Sequence, residues 1–231
     1  PIVIAISQII EHPSLDTARQ GILDYLKDHG YVPGQNLKVI YKNAQGNITT
    51  SSQIAQTLAS STPTPKVFVA LATPTAQSAL AATRGKNIPV VFTAVTDPVS
   101  SRLVKDLKDH HKGVTGIIDY PPLDEQLALI KQFFPHLKTI GVLYNPGESN
   151  SVSVLTHFKE KAKVLGIKII EGAVHKAVDL PQAFRKLHAA GVEAFYIPQD
   201  NTVISAMPQL AALSYAYKIP IFTSDNGSVK E

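Results

Sequence analysis

The chain has 231 residues, 44% of them hydrophobic, with a formal net charge of +4 and neither cysteine nor tryptophan. That length holds one large domain or two small ones with a proper core, and no apolar run approaches the ~18 residues that span a bilayer. Without cysteine there are no disulfides, thiolate zinc sites or cysteine nucleophiles, and lysines and arginines scattered without a dense basic run argue against nucleic acid as a partner.

Ile2–Ser7 reads as a buried strand, and a helix follows from about Ser14 to His29, with Leu15, Ala18, Ile22, Tyr25 and Leu26 on one face. Gly30 is its stop. Strand Leu37–Tyr41 leads through the polar Asn43–Asn47 into a helix from about Ile48 to Ser60. The stretch Val67–Leu80, VFVALATPTAQSAL, is strand, tight turn and helix, broken at Thr73-Pro74-Thr75. The first N–H groups of such a helix have no intrahelical partner and lie beside two hydroxyls, which suits a carboxylate or phosphate. The alternative is that Thr73 only caps the helix, with Pro74 at its first position. Ile88–Thr93 is the next strand.

Between Thr96 and Lys112 the pattern weakens. His110 and His111 read as exposed polar residues rather than metal ligands, because adjacent side chains point apart and no third ligand stands at useful spacing. Strand Val114–Ile118 is the passage into a second lobe, so the expected division is 1–115 and 116–231. Alternation then restarts: a helix opened by Pro121-Pro122, strand Thr139–Tyr144, helix Asn150–Leu165 and strand Ile167–Ile170. A helix capped by Asp179, strand Val192–Ile197, helix Thr202–Tyr217 and strand Ile219–Thr223 complete the order. The residues Ser228–Glu231 read as the start of a further helix, from which the expectation is a truncated chain.

The halves repeat one another. VFVALATPTAQSAL followed by NIPVVFTAVTDP is set against AFYIPQDNTVISAM followed by KIPIFTSDN, each with strand, polar turn, helix, Ile-Pro, hydrophobic strand, Phe-Thr and an Asp. The expected fold class is therefore α/β, two doubly wound, Rossmann-like parallel-sheet lobes with a cleft between them. Ligands of such sheets sit outside the carboxyl ends of strands. The residues there are Gln8, His12, Ala44 to Asn47, Thr73, Thr75, Thr96, Asp97, Glu148, Asn150, Ser151, Asp200, Asn201 and Asp225.

This set suits a zwitterion. A carboxylate could take the Thr73 and Thr75 hydroxyls and the N–H groups of Thr75 and Ala76, at about 0.3–1 kcal/mol for the helix end. An ammonium needs a carboxylate, first Asp200 and second Asp97; the alternatives are an N-cap for Asp200 and a turn residue for Asp97. His12 either bonds ligand or closes its turn, and Tyr120 and Tyr144 either wall the pocket or pack as core aromatics. Replacing Thr75 by Val is expected to weaken binding and leave the fold intact. No Gly-rich phosphate loop, HExxH or GxSxG appears, so the expectation is a protein that is not an enzyme and needs no cofactor or metal.

The motifs Q-I-I-E-H-P-S-L-D from Gln8, Y-K-N-A-Q-G-N from Tyr41, A-T-P-T-A-Q from Ala72, L-Y-N-P-G-E-S-N-S from Leu143, P-Q-D-N-T-V from Pro198 and S-D-N-G-S-V from Ser224 carry a resemblance. With them the sequence resembles the ABC-transporter substrate-binding proteins of the tryptophan/tyrosine (aromatic amino acid) type, with the type I periplasmic binding protein fold. The resemblance implies binding of a small amino acid in the interlobe cleft and delivery to an ABC permease; the expectation is a monomer that is periplasmic, or extracellular and membrane-anchored. It also implies that Thr73 and Thr75 hold the carboxylate, that Asp200 faces the ammonium, that Asn150 and Ser151 line the second lobe, and that a C-terminal return segment is missing here. The alternative is a ligand-sensing domain of a signalling or regulatory protein with the same fold.

Overall fold

A computed structural model describes residues 1–108, 113–225 and 227–230. The expectation for His110 and His111 lies outside the described residues. The chain divides into two compact units, Pro1–Tyr120 and Pro121–Glu231.

The first unit runs β1 (Ile2–Gln8), α1 (Pro13–Asp28), β2 (Leu37–Asn43), α2 (Ile48–Ala59), β3 (Val67–Leu71), α3 (Thr73–Thr83), β4 (Val90–Val95), β5 (Val114–Ile118). Its strands form one parallel sheet in the order β2-β1-β3-β4-β5. Because β1 is covered on both faces, six of its seven residues are buried, and it reads as an apolar run, Ile2–Ile6, closed by Ser7 and Gln8. Side chains nevertheless alternate. Ala5, Phe68 and Ala70 pack with Ala55 and Leu58 of α2 and Ala76 and Ala79 of α3. Ile4, Ile6, Val69 and Leu71 pack with Leu15 of α1 on the other face. The strand order thus reverses between β1 and β3, where helices leave on opposite sides; such a reversal opens a crevice at the carboxyl ends.

Strand β5 pairs with β4 from Val114 to Ile118. Gly116 is needed there, since a Cβ would meet the Phe92 carbonyl oxygen at 2.2 Å. All of β5 therefore belongs to the first unit, and the division falls after Tyr120 rather than between 115 and 116.

The second unit runs α4 (Leu123–Phe133), β6 (Thr139–Tyr144), α5 (Ser149–Val164), β7 (Lys168–Ala173), α6 (Leu180–Ala189), β8 (Ala194–Ile197), α7 (Asn201–Ile204), α8 (Met207–Tyr217), β9 (Ile221–Thr223). Its parallel sheet has the order β7-β6-β8-β9, the same as β2-β1-β3-β4. Phe158 of α5 stacks on Tyr196 at 3.9 Å, and Phe184 of α6 stacks on Phe195 at 4.4 Å, so adjacent residues of β8 anchor opposite faces. The single helix expected over Thr202–Tyr217 is two, because Pro208 has no N–H to continue the ladder and its ring crowds the preceding turn.

Candidate functional site

In the first unit the two last residues of β1 part company. Gln8 turns to the α1 face, where its Nε2 donates to the Ile10 carbonyl and to Asp16 Oδ1, both at 2.8 Å, and its Oε1 accepts from Arg19 Nη1 at 2.7 Å. Arg19 also lies 4.3 Å over the Tyr41 ring. Burial raises the Tyr41 phenol above its ordinary value against the lowering pull of that guanidinium. The expected ligand contact of Gln8 is corrected on this geometry: its amide is committed to holding the β1–α1 turn. Ser7, by alternation with Gln8, turns to the α2 and α3 face, beside its register partner Ala70.

The turn into α3 passes through Ala72 at φ 79° and ψ 160°, a region that side-chain-bearing residues rarely adopt. Its N–H still donates to the Thr93 carbonyl at 3.0 Å, extending the ladder with β4 one residue past β3. The first helical bond is Ala76 N–H to the Ala72 carbonyl at 3.1 Å. Ala76 is thereby removed from the anion site, because its donor closes the helix. Thr75 is corrected for a similar reason: its hydroxyl donates to the Leu71 and Ala72 carbonyls, and one hydrogen cannot also serve a ligand. What the turn leaves open is different. The N–H groups of Thr73 and Thr75 precede the first helical bond, and the Thr73 hydroxyl, 1% exposed, has no hydrogen-bond partner. The equally buried Ser7 hydroxyl also has none.

The other candidates of this unit are structural in their visible bonds. His12 is buried in extended backbone at the N-cap position of α1, and its carbonyl accepts the Asp16 N–H. Asp97 Oδ1 accepts the N–H groups of Val99 and Ser100 at 3.1 and 3.0 Å, closing the turn after β4 beside the buried Thr96. Tyr120, 41% exposed, ends the unit.

In the second unit two buried carboxylates organise the strand ends. Glu148 Oε1 accepts from Thr202 N–H at 3.0 Å and Thr202 Oγ1 at 2.8 Å. Its Oε2 accepts from Asn201 N–H at 3.1 Å, Asn201 Nδ2 at 2.6 Å and Asn150 Nδ2 at 3.1 Å. Asp200 Oδ2 accepts from Asn145 N–H and Ser151 Oγ, both at 2.6 Å, while Oδ1 accepts the Val203 N–H at 2.9 Å as the N-cap of α7. Burial, with Glu148 beside it, pushes the Asp200 carboxyl up to about 8 despite those three donors.

Three expectations are corrected here. The polar atoms of Asp200, Glu148 and Ser151 are taken up by hydrogen bonds that join α5 to α7. The N-cap alternative describes Asp200 better than an ammonium contact. Asn150 is divided: its Nδ2 donates to the Gln199 carbonyl at 2.8 Å, but its buried Oδ1 accepts nothing. The Ser149 hydroxyl is likewise unpartnered. Asp225, half-buried after β9, accepts the Ser228 N–H and hydroxyl on Oδ2, both at 2.8 Å. Tyr144 donates to Glu171 Oε2 at 2.9 Å, so its ring is fixed against β7.

The buried unpartnered oxygens of Ser7, Thr73, Ser149 and Asn150 all lie at the carboxyl ends of strands or the helix starts that follow them. Sequence reasoning missed Ser7 and Ser149. For Ser7 a signal existed: it is a hydroxyl that follows directly on the apolar run of IVIAISQ.

The family model described as ABC transporter substrate binding protein matches residues 3–231. The tyrosine-binding protein of Clostridioides difficile (strain R20291) is 38% identical over 226 residues, 98% of this chain; the chain spans 64% of that relative's length. A solved conserved domain protein from Vibrio cholerae O1 biovar El Tor is similar at 44% identity and a TM-score of 0.94, over 99% of this chain and 76% of that one. The ABC domain from Streptococcus pneumonia in complex with L-Trp is similar at 33% identity and a TM-score of 0.91, with the same coverage. The fold is that of the type I periplasmic binding proteins.

Proposed function

Since this chain belongs to the ABC transporter substrate-binding protein family, we propose that it binds a small amino acid with an aromatic or apolar side chain and hands it to a membrane permease. The observation that carries the reading is the Thr73 hydroxyl, buried and unpartnered at the start of an eleven-residue helix and at the switch point of its sheet. Donors so placed stabilise a carboxylate without competing internal acceptors. Support for the aromatic side chain comes from the relatives, one named for tyrosine and one solved with L-Trp. Asp97 is the proposed acceptor of the ammonium, with His12 and Tyr120 as further contacts of the same unit.

The proposed role is binding without turnover, as a monomer outside the cytoplasmic membrane, in the periplasm or anchored at the cell surface. Among the described residues no helix is long and apolar enough to cross a membrane. Titration calorimetry with a panel of L-amino acids and sugars tests the reading. Heat from L-tryptophan or L-tyrosine is the expected result, and silence from every amino acid overturns it.

A further inference from the structure

We propose that Ser7 is a specificity-determining residue of this site, its hydroxyl acting with that of Thr73 as a second donor to the ligand's carboxylate; the inference rests on the amino-acid reading above. Ser7 lies in β1 at the strand reversal, level with Ala70 of β3, on the face that α3 covers. Its Oγ is buried and bonded to nothing, although three serine hydroxyls on the same face have found partners: Ser51 donates to Ser78 at 3.0 Å, Ser52 lies 3.4 Å from Ser78, and Ser78 donates to the Pro74 carbonyl at 3.0 Å. A buried hydroxyl without a partner is unfavourable in the free protein. Two such hydroxyls at one switch point, with the N–H groups of Thr73 and Thr75 ahead of the first bond of α3, make four donors. A carboxylate has about four lone-pair sites to meet them. A neutral amide in its place offers one acceptor atom and presents donors to the rest. The hydroxyl of Ser7 thus favours ligands that carry the carboxylate over otherwise identical ligands that do not.

The test compares Ser7→Ala with the unaltered chain, by calorimetry against L-tryptophan and by competition with L-tryptophanamide, alongside thermal unfolding without ligand. Loss of one hydrogen bond to a charged group is expected to weaken L-tryptophan binding about tenfold or more and to change tryptophanamide binding far less. The midpoint of unfolding is expected to stay or rise, because the unmet hydroxyl is gone. L-tryptophan affinity within twofold of the unaltered chain overturns the role of Ser7 while leaving amino-acid binding standing. Equal weakening of both ligands also overturns it, as a packing effect would produce that. An unaltered chain that binds no amino acid overturns both the reading and the inference.

Discussion

Ser151 at the start of α5 donates its hydroxyl to Asp200 Oδ2 at 2.6 Å, and the same oxygen accepts the Asn145 N–H. One carboxylate thereby fixes the turn after β6, the first turn of α5 and, through Val203, the start of α7. Asp200→Ala strands three buried donors. Loss of an N-cap alone costs about 1 kcal/mol, and each buried donor left unmet adds about 1–3 kcal/mol, partly offset by relief of Glu148. The expected loss of stability is about 2 kcal/mol or more, read as a lower urea midpoint with an unchanged slope. A chain as stable as the original would refute the structural role assigned to Asp200.

The same carboxyl sets a pH dependence. Its folded-state value lies near 8, above the ordinary 3.8, so across that window the folded chain holds a proton that the unfolded chain has released. Its contribution is complete below about pH 4 and declines as pH rises toward 8. Glu171 acts outside this window. The Lys159 hydrogen bond holds its carboxyl below the ordinary 4.5, so its contribution is present above that value and lost in acid. Urea titrations of the ligand-free chain at pH 5, 6.5 and 8 are expected to give falling midpoints, and Asp200→Asn is expected to flatten the trend. A midpoint that rises with pH over this range would reverse the assignment.

The alternation of strands and helices is legible in the sequence where strands are continuous apolar runs bounded by polar or proline-bearing turns, as Val67–Leu71 and Ala194–Ile197 show. The repeat of Ile-Pro and Phe-Thr reappears as one strand order used twice. The site is legible only as a region. Thr73 and Thr75 are indistinguishable as letters, and what separates them is their hydrogen bonding: the Thr75 hydroxyl donates back to the Leu71 and Ala72 carbonyls, whereas that of Thr73 meets no acceptor. Asp200 reads as a ligand carboxylate or a cap until Glu148 and Asn145, distant in sequence, are seen around it. Hydrogen-bond satisfaction is a property of three-dimensional neighbours, and local pattern does not encode it.

The two threonines are expected to separate on mutation. Thr73→Val removes an unpartnered hydroxyl, so L-tryptophan affinity should fall about tenfold or more while the unfolding midpoint is kept or raised. Thr75→Val removes a hydroxyl that closes its own turn, so stability should fall by about 1 kcal/mol and affinity should change less than in Thr73→Val. This replaces the expectation that Thr75 itself holds the carboxylate. Calorimetry and thermal unfolding on both variants check it, and greater loss of affinity in Thr75→Val than in Thr73→Val would reinstate Thr75.

Ala72 offers a test of the turn itself. At φ 79° and ψ 160° a Cβ is strained by about 1–3 kcal/mol, whereas glycine occupies the region freely. Glycine also loses more backbone entropy on folding, about 0.5–1 kcal/mol relative to alanine. The difference predicts that Ala72→Gly leaves stability unchanged or raises it by about 1 kcal/mol, against the usual destabilisation by a new glycine. The turn's donors would then be held less firmly, since alanine restricts the peptide that presents the Thr73 N–H. L-tryptophan binding is therefore expected to weaken a fewfold in a chain that is no less stable. Loss of stability by more than about 1 kcal/mol would show that Ala72 is not strained.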